Sequence, residues 1–359
     1  MTQADTEPKV SLKSLEQFCR GVLAGCGADE ATAAAAARAM MHGTRFGVDS
    51  HGVRLLGHYV EALVGGRINK TPKLHTIGGF GAAETLDADH AHGALATYTA
   101  MERAVAIARQ LGVAAVAIRN SSHFGPAGAY ALEAARQGLI GFAFCNSDSF
   151  VRLHGGASRF HGTNPIAVAV PVAGQDPWLL DMATSAVPFN RVLLYRSLGN
   201  PLPESVASDA QGVDTTDPNE TEMLAPLGGE FGFKGAGLAG LAEILTAVVT
   251  GMRLSFEIAP MMGPDFTKPR QLGAFVLAIL PEAFGDRAMF NDGMKRYLEA
   301  LRNSPARSDA TVMAPGDREW QIAADRETYG VQLDPATYRS FELLATRYGV
   351  PLPTAAINS

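Results

Sequence analysis

The chain lacks several features that mark common classes of protein. It has only three cysteines among 359 residues, Cys19, Cys26 and Cys145, and their spacing matches no metal-binding pattern. No run of about 18 apolar residues occurs, so we expect no transmembrane helix. Residues 1–8 are polar and lack the apolar core of a signal peptide. We therefore expect a cytoplasmic protein with structural thiols and no membrane partner.

Motifs for several other chemistries are missing as well. The formal net charge is −6 and no long run of Lys and Arg occurs, which argues against nucleic acid as a main partner. Neither the Gly-x-Ser-x-Gly elbow of hydrolases nor the His-Glu-x-x-His motif of zinc enzymes is present. His90 and His92 are two residues apart, but no third metal ligand stands near them, so we expect no metal.

The chain does have an apolar fraction of 47%, arranged in alternating strand and helix patterns. Buried strands are predicted for five apolar runs, at 113–118, 139–145, 166–172, 178–182 and 270–280. Helices are predicted at 12–23, 30–43, 55–64, 94–110, 126–137, 235–250, 287–302, 317–328 and 335–347. The helix over 235–250 is apolar all round, so we expect it to be buried. Strand, helix and strand over 113–145 suggest a βαβ unit.

This distribution predicts an α/β fold with helices concentrated at both ends of the chain. We expect a helical N-terminal segment of a substrate domain over residues 1–75. An α/β domain should follow over 76–285, with a polar surface excursion at 200–228. Helices over 286–359 should pack back on the N-terminal segment.

The densest group of reactive side chains is the stretch Asp49-Ser50-His51-Gly52-Val53-Arg54. Histidine suits proton transfer near neutral pH, and the planar guanidinium of Arg54 suits a carboxylate. Gly52 allows a sharp bend or the close approach of a ligand. A proton donor beside a carboxylate clamp is what a 2-oxo-acid reductase needs. The alternative is a polar helix start with Asp49 or Ser50 as its N-cap.

Four further stretches follow predicted strands or open helices, where ligands of α/β folds bind. The turn at 120–128 includes His123-Phe124-Gly125-Pro126-Ala127 and predicts a cofactor cradle. Gly162-Thr163-Asn164-Pro165 precedes a strand, and Asp181-Met182-Ala183-Thr184-Ser185 ends one. The remaining stretch is Pro315-Gly316-Asp317-Arg318. Each also has an ordinary reading as a turn or a cap.

One pattern that resembles a dinucleotide fingerprint is rejected. Gly235, Gly237 and Gly240 fit Gly-x-Gly-x-x-Gly, but residues 226–233 do not form a buried strand pattern ahead of them. These glycines more simply permit close helix packing. Lys234, just before them, remains a candidate partner for a phosphate.

Taken in order, these stretches resemble the malate/L-lactate dehydrogenase family, which also includes sulfolactate, ureidoglycolate and diketogulonate dehydrogenases and ketimine reductases. The matching pieces are Ser50 to Val53, Asn120 to Gly125, Gly162 to Pro165, Asp181 to Ser185 and Phe233 to Leu238. The resemblance implies a non-Rossmann cofactor domain with a mixed sheet flanked by helices. It also implies a homodimer with the active site near the interface, and NAD or NADP as cofactor.

The resemblance further implies residue roles. His51 looks like the catalytic acid/base assisted by Ser50, and Thr163 and His123 look like residues close to substrate. The implied cofactor contacts are His123, Phe124, Gly125, Pro126, Ala127, Asp181, Thr184, Ser185, Ala186, Val187, Lys234, Gly235, Pro315, Gly316 and Arg318. We therefore expect reversible hydride transfer between nicotinamide and a small 2-oxo or 2-hydroxy acid.

Two departures from the family pattern leave alternatives open. The arginine usually found five residues after the motif serine is Leu55 here, so we expect Arg54 or Arg191 to hold the substrate carboxylate. Ketimine reductases place an aspartate where Arg191 stands, which argues mildly against an imine substrate. The alternatives are an NADPH-dependent reductase of C=N bonds in cyclic imino acids or N-alkyl imines, and a catalytically silent dinucleotide-binding scaffold.

Overall fold

The computed structural model describes residues 9–356, so the polar stretch at 1–8 considered above lies outside the described residues. Each predicted helix forms. The helices are α1 (Leu12–Gly25), α2 (Glu30–Arg45), α3 (Leu56–Gly65), α4 (Gly93–Leu111), α5 (Gly128–Arg136), α6 (Phe189–Leu198), α7 (Phe233–Glu243), α8 (Arg287–Arg302), α9 (Asp317–Tyr329) and α10 (Pro335–Tyr348). No helix within 9–356 has the length and apolar character that crossing a membrane requires.

The strands form a large mixed sheet and a small one. Their bounds are β1 (His75–Phe80), β2 (Ala83–Asp87), β3 (Val113–Ser121), β4 (Ile140–Cys145), β5 (Val151–Arg152), β6 (Arg159–His161), β7 (Ile166–Val170), β8 (Trp178–Met182), β9 (Ala207–Ser208), β10 (Met223–Leu224) and β11 (Leu272–Ile279). The large sheet has the order β1-β2-β3-β11-β4-β7-β8, and the small one β6-β5-β10-β9. The prediction of a mixed-sheet α/β fold is therefore confirmed.

The predicted βαβ unit over 113–145 forms with an insertion. β11 lies between β3 and β4 and runs antiparallel to both, so β3 and β4 point the same way without pairing. A directly paired unit comes earlier, where β2 and β3 are parallel neighbours joined through α4. The sequence pattern predicted the strand at 270–280 but not its position between β3 and β4, because these partners are more than 120 residues away along the chain.

The N-terminal helices and the C-terminal end of the chain share one apolar core. Asp29 caps α2 by accepting from the Thr32 N–H, and Asp334 caps α10 in the same way. The small side chains of α2 let α1 pack closely against it, and Phe341 of α10 packs against Phe18 of α1 with the rings tilted and 4.8 Å between their centroids. The division into domains stays a prediction, but the helices at the two ends do meet.

The structure departs from the packing expectations at three places. The apolar helix α7 is not buried, because Leu238, Leu241 and other apolar side chains on it are exposed. The segment 200–228 is not only a surface excursion, since β9 and β10 lie within it and bury Ala207 and Leu224. Of the three C-terminal helices, α9 and α10 pack on the N-terminal helices, whereas α8 packs against Val172, beside β7.

Candidate active site

The predicted site residues gather at one edge of the large sheet. β3 and β4 end there, while β11 and β7, which run the other way, begin there. The register shows this directly, because Leu272 pairs with Ser121, Ala274 pairs with Cys145, and Ile166 pairs with Met182. The turn after β3, the stretch before β7 and the end of β8 are therefore neighbours in space, although about 60 residues of sequence separate the first from the last.

Ser50 and His51 lie on a single 3-10 turn that is held against α2. The Ser50 hydroxyl lies 2.9 Å from His51 Nδ1, which fixes the orientation of the imidazole. A Cβ on Gly52 would lie 2.4 Å from the Thr44 hydroxyl oxygen, and one on Gly43 would lie 2.6 Å from the His51 carbonyl oxygen. Gly52 therefore serves the close approach of α2, not the close approach of a ligand.

A second histidine faces His51 across the site. The rings of His51 and His123 are stacked at 5.7 Å between centroids, and the hydroxyl of buried Tyr59 lies 2.8 Å from His123 Nδ1. Burial lowers the pKa of both imidazoles, and for His123 the neighbouring His51 lowers it further. Both rings are therefore neutral near pH 7, the state in which an imidazole accepts a proton.

The structure adds a buried ion pair that the sequence reasoning missed. Arg270 is 3% exposed and pairs with Asp148, while its Nε donates to the Ala259 carbonyl at 2.8 Å. Its Nη1 has no hydrogen-bond partner among the described residues. Its charge lowers the pKa of both His58 and His123, so the guanidinium lies within electrostatic reach of these two histidines. The only sequence signal was a charged residue at the start of an apolar strand run.

The two arginines proposed from the sequence are not brought to the histidines. Arg54 is exposed, and its charge acts on Asp334, the residue that caps α10. Arg191 is exposed on α6. Arg54 lies on the 3-10 turn Val53–Leu55, where one residue rotates a side chain by about 120°, so the one-residue offset from the family arginine changes the direction of the side chain. Arg270 and Arg67 both act on His58 and both have a buried N–H without a partner among the described residues, but of the two only Arg270 also acts on His123.

Thr163 is held at the same edge by buried hydrogen bonds. Its backbone N–H donates to the Ser147 hydroxyl at 3.2 Å, next to Asp148, and its carbonyl accepts from the Thr184 N–H at 2.9 Å. The neighbouring Asn164 donates to buried Glu243 of α7 at 2.7 Å. Asn164 and Thr184 are therefore structural supports, and Thr163 is placed near the Arg270–Asp148 pair.

Two of the candidate cofactor segments meet at the start of α5, and a third contacts β8 two residues away from Asp181. The Gly128 N–H donates to the Asp181 carboxylate at 2.8 Å, and the Leu179 N–H donates to the Pro315 carbonyl at 3.2 Å. The residue Asp181 is partly exposed to solvent, but its carboxyl lies among protein atoms, and this burial raises its pKa to about 6. Asp181 therefore acts as a cap of α5, one of the two readings that its position at a strand end allowed.

The fourth segment, residues 184–187 after β8, lies beside the chain at 225–227, which leads to the start of α7. The Ala186 N–H donates to the Ala225 carbonyl at 2.9 Å, and the Ser185 hydroxyl donates to the Val187 carbonyl at 2.8 Å. A Cβ on Gly235 would lie 2.2 Å from the Leu227 carbonyl oxygen, so only glycine fits there. Gly235 is therefore required by close packing against the backbone at Leu227, whereas a Cβ on Gly237 or Gly240 would meet nothing within 4 Å, so the close helix packing expected of all three glycines is found only at Gly235.

These segments fit a nicotinamide dinucleotide in chemical terms. Residues 124–127 are buried, but there is space beside Gly125, since a Cβ there would have only the Tyr59 hydroxyl and the His51 carbonyl within 4 Å. Lys234 and Arg318 are exposed cations at the two flanking segments, although Arg318 is also paired with Glu319. Within residues 9–356 no group of three or more His, Cys, Asp or Glu is arranged to hold a metal ion.

Buried histidines around the site make stability depend on pH. His92 is fully buried, accepts from the Ala94 N–H, and burial lowers its pKa to about 3. Unfolding releases it to an ordinary pKa of about 6.5, so the unfolded state binds more protons and stability falls as pH drops below 6.5. We expect His92 alone to lower the unfolding free energy of the protein by about 2 kcal/mol between pH 7 and pH 5.

Urea unfolding of the parent chain and of His92→Asn at the two pH values checks this. Asparagine keeps the helix cap, so the difference between pH 7 and pH 5 should shrink by about 2 kcal/mol. His75→Asn, at an exposed histidine, is the control variant. An equal pH dependence in His92→Asn and the parent would contradict the assignment.

Comparison with known proteins identifies the family. The malate/L-lactate dehydrogenase family matches residues 10–342. The chain belongs to this family. It is 33% identical over 350 residues to a malate dehydrogenase of Pyrococcus abyssi, covering 95% of each chain. It is 34% identical over 319 residues to an NADP⁺-dependent (2R)-3-sulfolactate dehydrogenase of Chromohalobacter salexigens, covering 88% of this chain and 92% of the relative.

A solved structure agrees with the sequence matches. The crystal structure of malate dehydrogenase from Entamoeba histolytica superposes with a TM-score of 0.90 at 29% identity, covering 96% of this chain and 99% of that one. The family likeness inferred from the five sequence stretches is thus confirmed. So is the expectation of a hydroxyacid dehydrogenase that uses a nicotinamide cofactor.

Proposed function

We propose that the enzyme interconverts a small 2-hydroxy acid and its 2-oxo acid, as in malate- or lactate-type chemistry. One observation carries this most directly: the neutral imidazole of His51 is stacked with that of His123, and the charge of buried Arg270 acts on His123. Oxidation of an alcohol needs a base for its proton, and a 2-hydroxy acid needs a cation for its carboxylate. The site offers both, on the edge of the sheet where ligands bind in α/β folds.

Within this proposal His51 is the acid/base. The Ser50 hydroxyl holds Nδ1, which leaves Nε2 to take the proton of the substrate hydroxyl during oxidation and return it during reduction. His123 is oriented by the Tyr59 hydroxyl and faces the same space, so it contacts the substrate oxygen. Arg270 holds the carboxylate in place of Arg54 or Arg191, with Asp148 fixing its orientation.

The residues that would hold the cofactor lie around His51 and His123. They are the turn at 123–127, the segment 184–187, Lys234-Gly235 and the segment 315–318. When bound, the nicotinamide supplies the hydride acceptor or donor. The chain's own part is to place the substrate carbon, exclude water and move the proton through His51.

The direct test monitors the absorbance of reduced nicotinamide. NADH and NADPH are each mixed with a panel of 2-oxo acids that includes pyruvate, oxaloacetate and 3-sulfopyruvate, with and without methylamine. Turnover of an oxo acid without the amine supports the proposal. Turnover only with methylamine would support reduction of C=N bonds, and thermal protection by cofactor with no turnover would support a silent scaffold.

We further propose that the enzyme is a homodimer in the cytoplasm. α7 and the π-helical turn after it expose an apolar face that no described residue covers: Phe233, Leu238, Leu241, Ile244 and Val248. An exposed apolar face of this kind marks an association surface, and a second copy of the chain is the partner we assign to it. The three unpaired, buried thiols fit a reducing compartment.

A charge placed on this face should separate the subunits. We expect Leu241→Glu to reduce the molar mass measured by light scattering from about two chains to one, because burying the carboxylate costs several kcal/mol. Leu343→Glu is the matched control, since Leu343 is an isolated exposed leucine on α10. A dimer that survives Leu241→Glu would place the interface elsewhere.

A further inference from the structure

A buried carboxylate on α7 has no part in the reaction proposed above. Glu243 is 6% exposed, and it makes no ion pair among residues 9–356. Its oxygens accept three hydrogen bonds, one from the Asn164 side chain at 2.7 Å and two from the N–H and the hydroxyl of Ser255, at 2.6 Å each. Burying a charge that has no counter-ion is costly, and hydrogen bonds offset only part of that cost. A side chain that only filled this space would not need the charge.

The first of these hydrogen bonds connects α7 to the turn that holds Thr163. Asn164 is fully buried and donates both side-chain N–H groups to α7, one to Glu243 and one to the Ala239 carbonyl at 3.2 Å. The backbone of Asn164 is in the left-handed region, at a φ of 30°, which among residues other than glycine only asparagine and aspartate adopt at all readily. α7 therefore holds an unfavourable turn directly beside Thr163, a residue that we place near the substrate.

The other two hydrogen bonds connect α7 to the loop that holds Asp148. The Ser255 carbonyl accepts from the Ser149 N–H at 3.0 Å, so Ser255 lies between Glu243 and the residue next to Asp148. Ser255 is fully buried, and its hydroxyl also lies 3.4 Å from the Asn164 amide oxygen. One carboxylate thus joins both loops on the substrate side of the site.

The turn that follows Glu243 packs against the start of β11. This π-helical turn spans Ile244–Val248, and a Cβ on Gly273 would lie 1.6 Å from the Thr246 carbonyl oxygen. Only glycine fits at such a distance, and Gly273 stands a few residues after Arg270. The inner side of α7 therefore supports the buried arginine as well as the two loops.

The acid/base side of the site is held by other elements. The Ser50 hydroxyl holds His51, whose turn packs on α2, and the Tyr59 hydroxyl of α3 lies beside His123. None of the hydrogen bonds of Glu243 reaches these residues. A change at Glu243 therefore acts on the substrate side and leaves the proton transfer in place.

We propose that Glu243 is a positioning residue for substrate binding, which holds the Thr163 turn against the Arg270–Asp148 pair through α7. This inference rests on the proposed function, because those groups are the ones that bind the acid there. The charge has a physical use, since hydrogen bonds to a carboxylate are shorter and roughly twice as strong as those to a neutral acceptor. They fix two loops that a neutral side chain would hold more loosely.

Glu243→Gln tests the proposal in steady-state assays with the acid that the parent chain turns over. The new amide nitrogen faces the donors of Asn164 and Ser255, so at least one hydrogen bond at this position is lost. We expect KM for the acid to rise about tenfold or more, and kcat to stay within about threefold. The Kd for reduced cofactor, measured by calorimetry, should also stay within about threefold, because Lys234-Gly235 lies about two turns away on α7.

The double variant Glu243→Gln/Asn164→Asp exchanges the acceptor and the donor. An amide N–H then faces a carboxylate again, and aspartate tolerates the left-handed backbone as asparagine does, so KM should return to within about threefold of the parent value. Thr246→Val is the matched control on the same element. Its buried hydroxyl donates to the Ala242 carbonyl at 2.7 Å within the helix, so its loss should lower Tm without changing KM.

A lower Tm in Glu243→Gln with an unchanged KM would overturn the proposal, because Glu243 would then support the fold alone. A KM in the double variant as high as in the single one would overturn it too. If Glu243→Gln does not fold, Ser255→Ala takes its place, since it removes one donor and keeps the carboxylate. We then expect KM to rise about threefold, and no rise contradicts the proposal. A parent chain that turns over no 2-oxo acid would instead remove the proposed function, and this inference with it.

Discussion

Replacing His51 with alanine should reduce turnover by about 10²- to 10⁴-fold while leaving the cofactor bound. The factor is the usual contribution of general acid–base help, and it is lost because water would have to take the proton instead. His51 lies on a 3-10 turn packed on α2, and a smaller side chain there leaves the Gly43 and Gly52 contacts intact. Steady-state kcat and the thermal shift caused by NADH or NADPH are the two measurements.

His123→Ala and Ser50→Ala distinguish the acid/base from its supports. Because Ser50 acts through the orientation of His51, its loss should reduce kcat less than the loss of His51 does. His75→Ala, at an exposed histidine, should have no effect. If His51→Ala kept full turnover and His123→Ala lost it, the acid/base would be His123 and not His51.

Arg270→Gln should raise the apparent KM for the acid by about 30- to 1,000-fold. Truncating one partner of a buried, hydrogen-bonded charge pair costs about 2 to 4 kcal/mol. In Arg270→Gln the substrate carboxylate loses the guanidinium that we propose holds it. Asp148 would also be left without its cation, so we expect about 3 to 5 kcal/mol less stability. KM is measured alongside the urea unfolding free energy at neutral pH.

Two further variants separate binding from folding. Arg270→Lys keeps the charge opposite Asp148 and should recover most of the stability, but not the two-point grip on a carboxylate. Arg54→Gln is the control of matched chemistry, because Arg54 is exposed and faces α10 rather than the histidines. If Arg54→Gln raised KM and Arg270→Lys did not, the clamp would belong to Arg54.

The sequence predicted local structure well where the signal was itself local. Asp29 and Asp334 stand directly before periodic runs, and each caps the helix that was expected there. The strand at 178–182 forms as predicted because its apolar run is bounded by turn residues. The exposure of α7 could not be predicted, because an apolar helix looks the same in sequence whether its own chain or another surface covers it.

The active site, too, could be predicted only in part from the sequence. The sequence alone determined that a histidine beside a tight glycine bend and several strand-end turns belong to one family of dehydrogenases, since those residue types follow one another along the chain. Only the tertiary structure set His123 against His51, turned Arg54 outward and brought Arg270 to the site. The physical reason is that antiparallel β11 carries the start of its strand to the edge where β3 and β4 end, and strand pairing over more than 120 residues leaves no trace in a local pattern.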